Sequence, residues 1–173
     1  MKLITSLLFI GIILFPSCNG SKKMTAVEYN DSIIEEQSKV IKLTIELVKN
    51  MDIDLVACEK NRVDIVKQCD SSLVILKQLE PFNGNLQFKS SAVKLFEYYK
   101  KVYSTDYKTL LEILNKGEDL TEEDVDQISL IADKVEKEEG RIEDIFIEAQ
   151  KEFAKQNNIR IEENELQKEI DAL

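Results

Sequence analysis

The sequence predicts an all-α fold, an up-down-up-down antiparallel four-helix bundle with long helices and short turns. Apolar residues recur every three or four positions along most of the 173 residues, which is the period of an α-helix. No stretch alternates apolar and polar residues for long enough to predict a strand. Residues that favour turns divide the pattern into four segments of similar length, and short connections between such helices favour antiparallel neighbours.

The first two helices are delimited by a capping box and a proline. The first is predicted over 25–51, because Thr25 followed three residues later by Glu28 matches a capping box. Aspartates in the next turn are suited to cap the second helix. This second helix is predicted over 55–80, because Pro81 disfavours a helical residue before it.

The other two helices are separated by a glycine. The third is predicted over 86–116, with Gly117 as its left-handed stop. The fourth begins at Thr121, where acidic residues in the first turn complement the helix dipole. Together the four helices make one bundle domain, residues 25–157, and residues 158–173 are predicted to be a helical extension or a frayed tail.

Cys58 and Cys69 lie eleven residues apart in the second predicted helix. At about 1.5 Å per residue they are roughly 16 Å apart on one face, too far for a disulfide, which needs Cα atoms within about 7 Å. Both are predicted to be small buried residues, with a disulfide to a second chain as the alternative. The apolar stripe predicted to face inward on this helix is Leu55, Cys58, Val63, Val66, Cys69, Leu73, Leu76 and Leu79.

A polar layer is predicted in the middle of the bundle. Gln37 is the central one of three polar residues that interrupt the inward stripe of the first helix at heptad spacing. Antiparallel packing places Gln37 level with Tyr99 and with the pair Glu138 and Glu139. We expect Gln37 and Tyr99 to form hydrogen bonds with Glu138 or Glu139. Such a layer either fixes the helix register, as one buried Asn does in coiled coils, or lines a small-ligand pocket.

The composition excludes several classes of chemistry. The chain has no histidine, which excludes Ser-His-Asp catalysis and His-ligated zinc. Its net charge of −10 disfavours nucleic acid, whose phosphates it would repel. We find no catalytic set, no metal site and no cofactor motif, and expect a protein that is not an enzyme. Tyr98, Tyr99, Tyr103 and Tyr107 of the third helix could form a stacking surface, but we expect Tyr99 and Tyr103 to be core residues and Tyr98 to lie on a partly exposed flank.

The amino-terminal segment is typical of an export signal. Lys2 precedes an apolar run that extends from Leu3 to Phe15, which is the pattern of a secretory signal. A membrane-spanning helix needs about 20 apolar residues, so an uncleaved anchor is disfavoured. Small Ser17 and then Cys18 follow the run.

This arrangement resembles the lipobox of bacterial lipoproteins, in which the cysteine is lipidated and becomes the new amino terminus. Phe15 and Pro16 stand where that family usually has an aliphatic and a small residue, and such looser boxes resemble those of the Bacteroidota. The resemblance implies a signal peptide at 1–17, lipidation of Cys18 and a tether at 18–24. The alternative is ordinary signal cleavage after Gly20, which leaves a soluble periplasmic protein.

Taken together, these features predict a membrane-anchored protein of the bacterial cell envelope, in the outer membrane rather than the inner one. We expect it to act as a non-enzymatic interaction or structural module, with a protein partner or a second copy of itself. The alternative function is binding of a small ligand inside the bundle.

Overall fold

A computed structural model describes residues 23–161, and the predicted all-α bundle is confirmed. The segments 1–22 and 162–173 lie outside the described residues, and with them the predicted signal, Cys18 and most of the predicted extension. Among the described helices, none is long and apolar enough to cross a bilayer. The elements are α1 (Ala26–Asn50), α2 (Leu55–Gln78), α3 (Gln87–Ser104), α4 (Asp106–Leu114), a 3₁₀ turn (Gly117–Asp119) and α5 (Glu122–Gln156).

Contacts between helices follow the up-down-up-down order. Near the end of α1 the carbonyl of Leu47 accepts a hydrogen bond from the thiol of Cys58, at the start of α2. Earlier in α1, Glu36 accepts one from Ser72, near the end of α2, at 2.7 Å. The same reversal relates α2 to α3 and α3 to α5. We call the end where α1 begins the proximal end and the opposite end the distal end.

Aromatic rings fill the core at the proximal end. Phe153 of α5 lies at the centre of this group, with ring centroids 5.3 Å from Tyr29, 5.6 Å from Phe82 and 5.2 Å from Phe88. Tyr29 is only 1% exposed. These contacts join α1, the α2–α3 turn, α3 and α5, so they hold this end of the bundle together.

The third predicted helix is broken, and its prediction as one continuous element over 86–116 is wrong. Thr105 lies between α3 and α4 with φ −120° and ψ −69°, outside the helical region. Its hydroxyl donates to the carbonyl of Lys101 at 2.9 Å, a bond that often bends helices. In addition, the guanidinium of Arg62 donates to the carbonyl of Tyr103 at 2.9 Å. A side chain that occupies a carbonyl of the helical ladder is a known cause of kinks.

Arg62 connects α2 to this break from a buried position. It is 7% exposed, and its guanidinium also donates two hydrogen bonds to Glu59, at 2.6 and 2.7 Å. This bidentate contact raises the pKa of Arg62 and lowers the pKa of Glu59. The buried cation therefore has both an ionic partner and a backbone acceptor, as burial of a charge requires.

The inward face of α2 differs from the predicted stripe. Its buried residues include Arg62 and Ser72, while Val63 and Val66 are only half-buried. The predicted stripe differs because it was built from apolar residues, and it therefore left out polar residues that are paired in the core. Burial of Cys58 and Cys69 is confirmed, and burial raises the pKa of the Cys69 thiol to about 12. The complete buried set is Cys58, Arg62, Ile65, Cys69, Ser72, Leu73 and Leu76.

Replacing Arg62 tests the role of its contact with the broken helix. We expect Arg62→Met to lower the free energy of unfolding by about 1–3 kcal/mol, because the carbonyl of Tyr103 loses its partner in a buried place. Urea denaturation followed by circular dichroism measures this loss. Lys60→Met is the matched control on the same helix, since Lys60 is 79% exposed, and it should change the stability by less than about 0.5 kcal/mol. Equal effects of the two variants would contradict the assignment.

Candidate functional site

Four tyrosines and two carboxylates meet at the middle of the bundle. The tyrosines lie on α3 and α4, which together we call the third helical arm, and the carboxylates lie on α5. We call this group the tyrosine–carboxylate cluster. It is the largest concentration of polar groups facing the core among the described residues. Its members are Tyr98, Tyr99, Tyr103, Tyr107, Glu139 and Glu143.

The α3 tyrosines reach α5 through their hydroxyl groups. Tyr99 is 4% exposed, and its hydroxyl donates to Glu143 Oε1 at 2.8 Å. Tyr98 is 6% exposed, and its hydroxyl donates to the carbonyl of Val135 at 3.1 Å. The predicted core position of Tyr99 is confirmed, whereas the partly exposed position predicted for Tyr98 is wrong, because its ring packs in the core. Both hydroxyls are satisfied, as buried polar groups generally are.

The break at Thr105 shapes the other half of the cluster. Tyr103 and Tyr107 lie on either side of it with their rings stacked, centroids 4.5 Å apart and planes 24° apart. The hydroxyl of Tyr103 also shares a hydrogen bond with Thr44 of α1, at 3.0 Å. The cluster therefore extends across the core to α1.

Glu139 is the carboxyl group of the cluster with a strongly raised pKa. Burial raises the pKa of its carboxyl from 4.5 to about 7, with a further contribution from the charge of Glu143, one turn later on α5. Burial, followed by the charge of Glu143, also raises the pKa of Tyr99. Burial and then the charge of Glu139 raise the pKa of Tyr107. At neutral pH the tyrosines are neutral hydrogen-bond donors, and Glu139 exchanges its proton near pH 7.

Only two of the four residues predicted to form the polar layer belong to the tyrosine–carboxylate cluster. Tyr99 and Glu139 belong to the cluster, but the hydrogen-bond acceptor of Tyr99 is Glu143 rather than Glu138 or Glu139. Glu138 lines the groove between α3 and α5, where its carboxylate is 3.9 Å from Lys101. Gln37 is half-buried on α1, and its side chain takes part in none of the hydrogen bonds found between described residues.

The sequence-based prediction of the polar layer missed one residue, Glu143, for a geometric reason. The position on the fourth predicted helix that lies opposite Tyr99 was estimated from the helix lengths alone. That estimate assumes four straight and unbroken helices. Glu143 lies four residues after Glu139, on the same face of α5. That spacing was the available signal.

The arrangement provides proton exchange and hydrogen bonding. A carboxyl with a pKa near 7 is suited to general acid–base chemistry. No nucleophile with an activating base accompanies it, because the chain lacks histidine and both described thiols are buried with raised pKa values. Within residues 23–161, no three cysteine or acidic side chains are placed to hold a metal ion.

Comparison of the chain with models of protein families, with curated proteins and with solved structures found no match. The functional argument therefore depends on the residues of this chain alone.

The raised pKa of Glu139 predicts a particular dependence of stability on pH. The folded state keeps this proton up to about pH 7, whereas the unfolded state loses it near 4.5. Stability therefore falls as the pH rises through this window. Glu139→Gln removes the fall, and we expect the variant to exceed the wild type by about 1–3 kcal/mol at pH 8. The difference should be near zero at pH 4.5, as measured by urea denaturation across pH.

The control for this prediction removes the same charge from the outer face of α5. Glu136 is exposed, so Glu136→Gln reports on the general effect of reducing the net negative charge. Its difference from the wild type should stay small over the same pH range. A difference for Glu139→Gln that did not grow with pH would contradict the raised pKa of the half-buried Glu139.

Proposed function

We propose that this protein is a membrane-anchored, non-enzymatic lipoprotein of the bacterial cell envelope whose helical bundle presents an interaction surface to a protein partner. Lipid on Cys18 would attach it to the outer membrane. The sequence from Lys2 to Cys18 supports the anchor, and the α1–α2 turn supports the interaction surface.

The position of α1 relative to Cys18 determines how close the bundle lies to the membrane. Thr25 caps α1 through a capping box with Glu28, so only residues 18–24 can extend as a tether. At about 3.5 Å per residue this tether reaches little more than 20 Å. The proximal end therefore stays near the headgroups, where Lys23 can contact anionic lipid. Two or more acyl chains on Cys18 suffice for stable anchoring.

The observation that carries the proposed interaction is the exposure of apolar residues at the distal end. Ile53, in the α1–α2 turn, is 82% exposed, and Val56, in the first turn of α2, is 81% exposed. They lie at the far end of α1, about 37 Å from its start at 1.5 Å per residue. Neighbouring apolar residues exposed to this extent are typical of a contact surface.

A groove of about 300 Å³ adjoins these residues between α2 and α4. Val56 and Leu111 contribute its apolar surface, while Glu59, Lys108 and Glu112 line its edge. An apolar core with a charged rim is the usual composition of a protein interface. The distal end thus has the features needed to hold an apolar side chain of a partner, or the same end of a second copy.

The anchor is tested by metabolic labelling with an alkyne fatty acid, followed by fractionation. We expect the wild type to be labelled and to sediment with the membranes, because Cys18 carries the lipid. Cys18→Ala should be unlabelled. Unlabelled wild-type protein in the soluble fraction would contradict the proposed anchor.

The distal surface is tested by placing a photo-crosslinking amino acid at Ile53 in living cells. We expect a discrete adduct at this position, since Ile53 would be covered by the partner. The control places the same amino acid at Lys67, which is exposed on the side of α2 away from the turn. Adducts of equal yield at both positions, or none at Ile53, would contradict a partner at the distal end.

A further inference from the structure

A second groove, of about 460 Å³, runs between α3 and α5 on the flank of the bundle. The ring of Tyr98 and the side chains of Ile142 and Ile145 give it an apolar surface. The hydroxyl of Tyr98 is turned away and bonded to the carbonyl of Val135, so the ring is what this residue presents. Ile145 is 47% exposed, which leaves apolar surface uncovered in the middle of a charged helix.

Three cations converge on this groove, although the chain carries a net charge of −10. They are Lys94, Lys101 and Arg141. Within residues 23–161, Lys94 and Arg141 take part in no hydrogen bond or ion pair. Lys101 has only a long contact of 3.9 Å with Glu138.

The carboxylates of the groove are already compensated. Glu97, the second acid that lines it, pairs with Lys77 at 3.0 Å, and Glu138 is the one near Lys101. The two pairs are Lys77 with Glu97 and Lys101 with Glu138. Among the described side chains that line the groove, this leaves the positive charges of Lys94 and Arg141. An anion placed between them gains attraction without competing against a free carboxylate.

We infer that the α3–α5 groove binds a small anionic amphiphile, with its carboxylate or phosphate head at Lys94 and Arg141 and its hydrocarbon chain along Tyr98, Ile142 and Ile145. The size of the groove favours a small molecule, because sites for such ligands occupy about 300–1,000 Å³. A partner helix would need a much larger surface. This site depends neither on Cys18 nor on the distal end, so it goes beyond the proposed function.

The test uses the purified full chain in dodecyl maltoside with a photoactivatable dodecanoic acid as the probe. We expect saturable labelling that maps by mass spectrometry to peptides of α3 and α5. Unlabelled dodecanoate or dodecyl phosphate should compete, and their relative strength identifies the preferred head group. Dodecanol, which has the same chain without the charge, should compete at least tenfold more weakly. Equal competition by dodecanol, or labelling spread evenly over the surface, would overturn the inference.

Charge reversal locates the site. K94E/R141E should weaken the saturable labelling at least tenfold, because both contacts to the anionic head become repulsive. The control is K42E/K67E, which makes the same change in net charge at two exposed lysines on other faces, and it should leave the labelling unchanged. If K94E/R141E does not fold, K94Q/R141Q removes the two charges without repulsion and should still weaken labelling severalfold. Undiminished labelling in a folded variant of either kind would overturn the site.

Discussion

The contact between the guanidinium of Arg62 and the carbonyl of Tyr103 determines how the middle of this bundle is built. It holds α2 against the point where the third helical arm breaks, with Glu59 balancing the buried charge. The rings of Tyr103 and Tyr107, four residues apart on either side of Thr105, stack at this point. Buried polar contacts of this kind specify helix register, since any other register leaves a charge or a carbonyl unpaired.

The tyrosine–carboxylate cluster follows from that register. Tyr99 reaches Glu143 on α5, and Glu139 lies among the tyrosine rings, where burial raises its pKa to about 7. The cost of keeping a carboxyl in this position is moderate because the group retains its proton up to neutral pH. We infer that the cluster is mainly structural, and that it makes stability sensitive to pH.

The general fold was accessible from the sequence because helical periodicity and capping chemistry act locally. Thr25 was identified as a cap and Thr121 as the start of the fourth helix, and the structure shows a capping box at each. The break at Thr105 was not predicted, because one of its two contributing contacts comes from a residue of another helix, Arg62. The buried face of α2 was misassigned for the same reason, since Arg62 and Ser72 are core residues only by virtue of their partners. The predicted layer named Tyr99 and Glu139 correctly but gave Tyr99 the wrong acceptor.

The most direct test of this account is a carbon-13 NMR titration of the Glu139 carboxyl in the wild type and in Arg62→Met. The account predicts a pKa near 7 in the wild type, because the register set by Arg62 keeps Glu139 buried among the tyrosines. It predicts a lower pKa in the variant, toward 4.5, as the broken arm loosens and water reaches the carboxyl. A value near 4.5 in the wild type, or an unchanged value near 7 in a folded Arg62→Met, would contradict it.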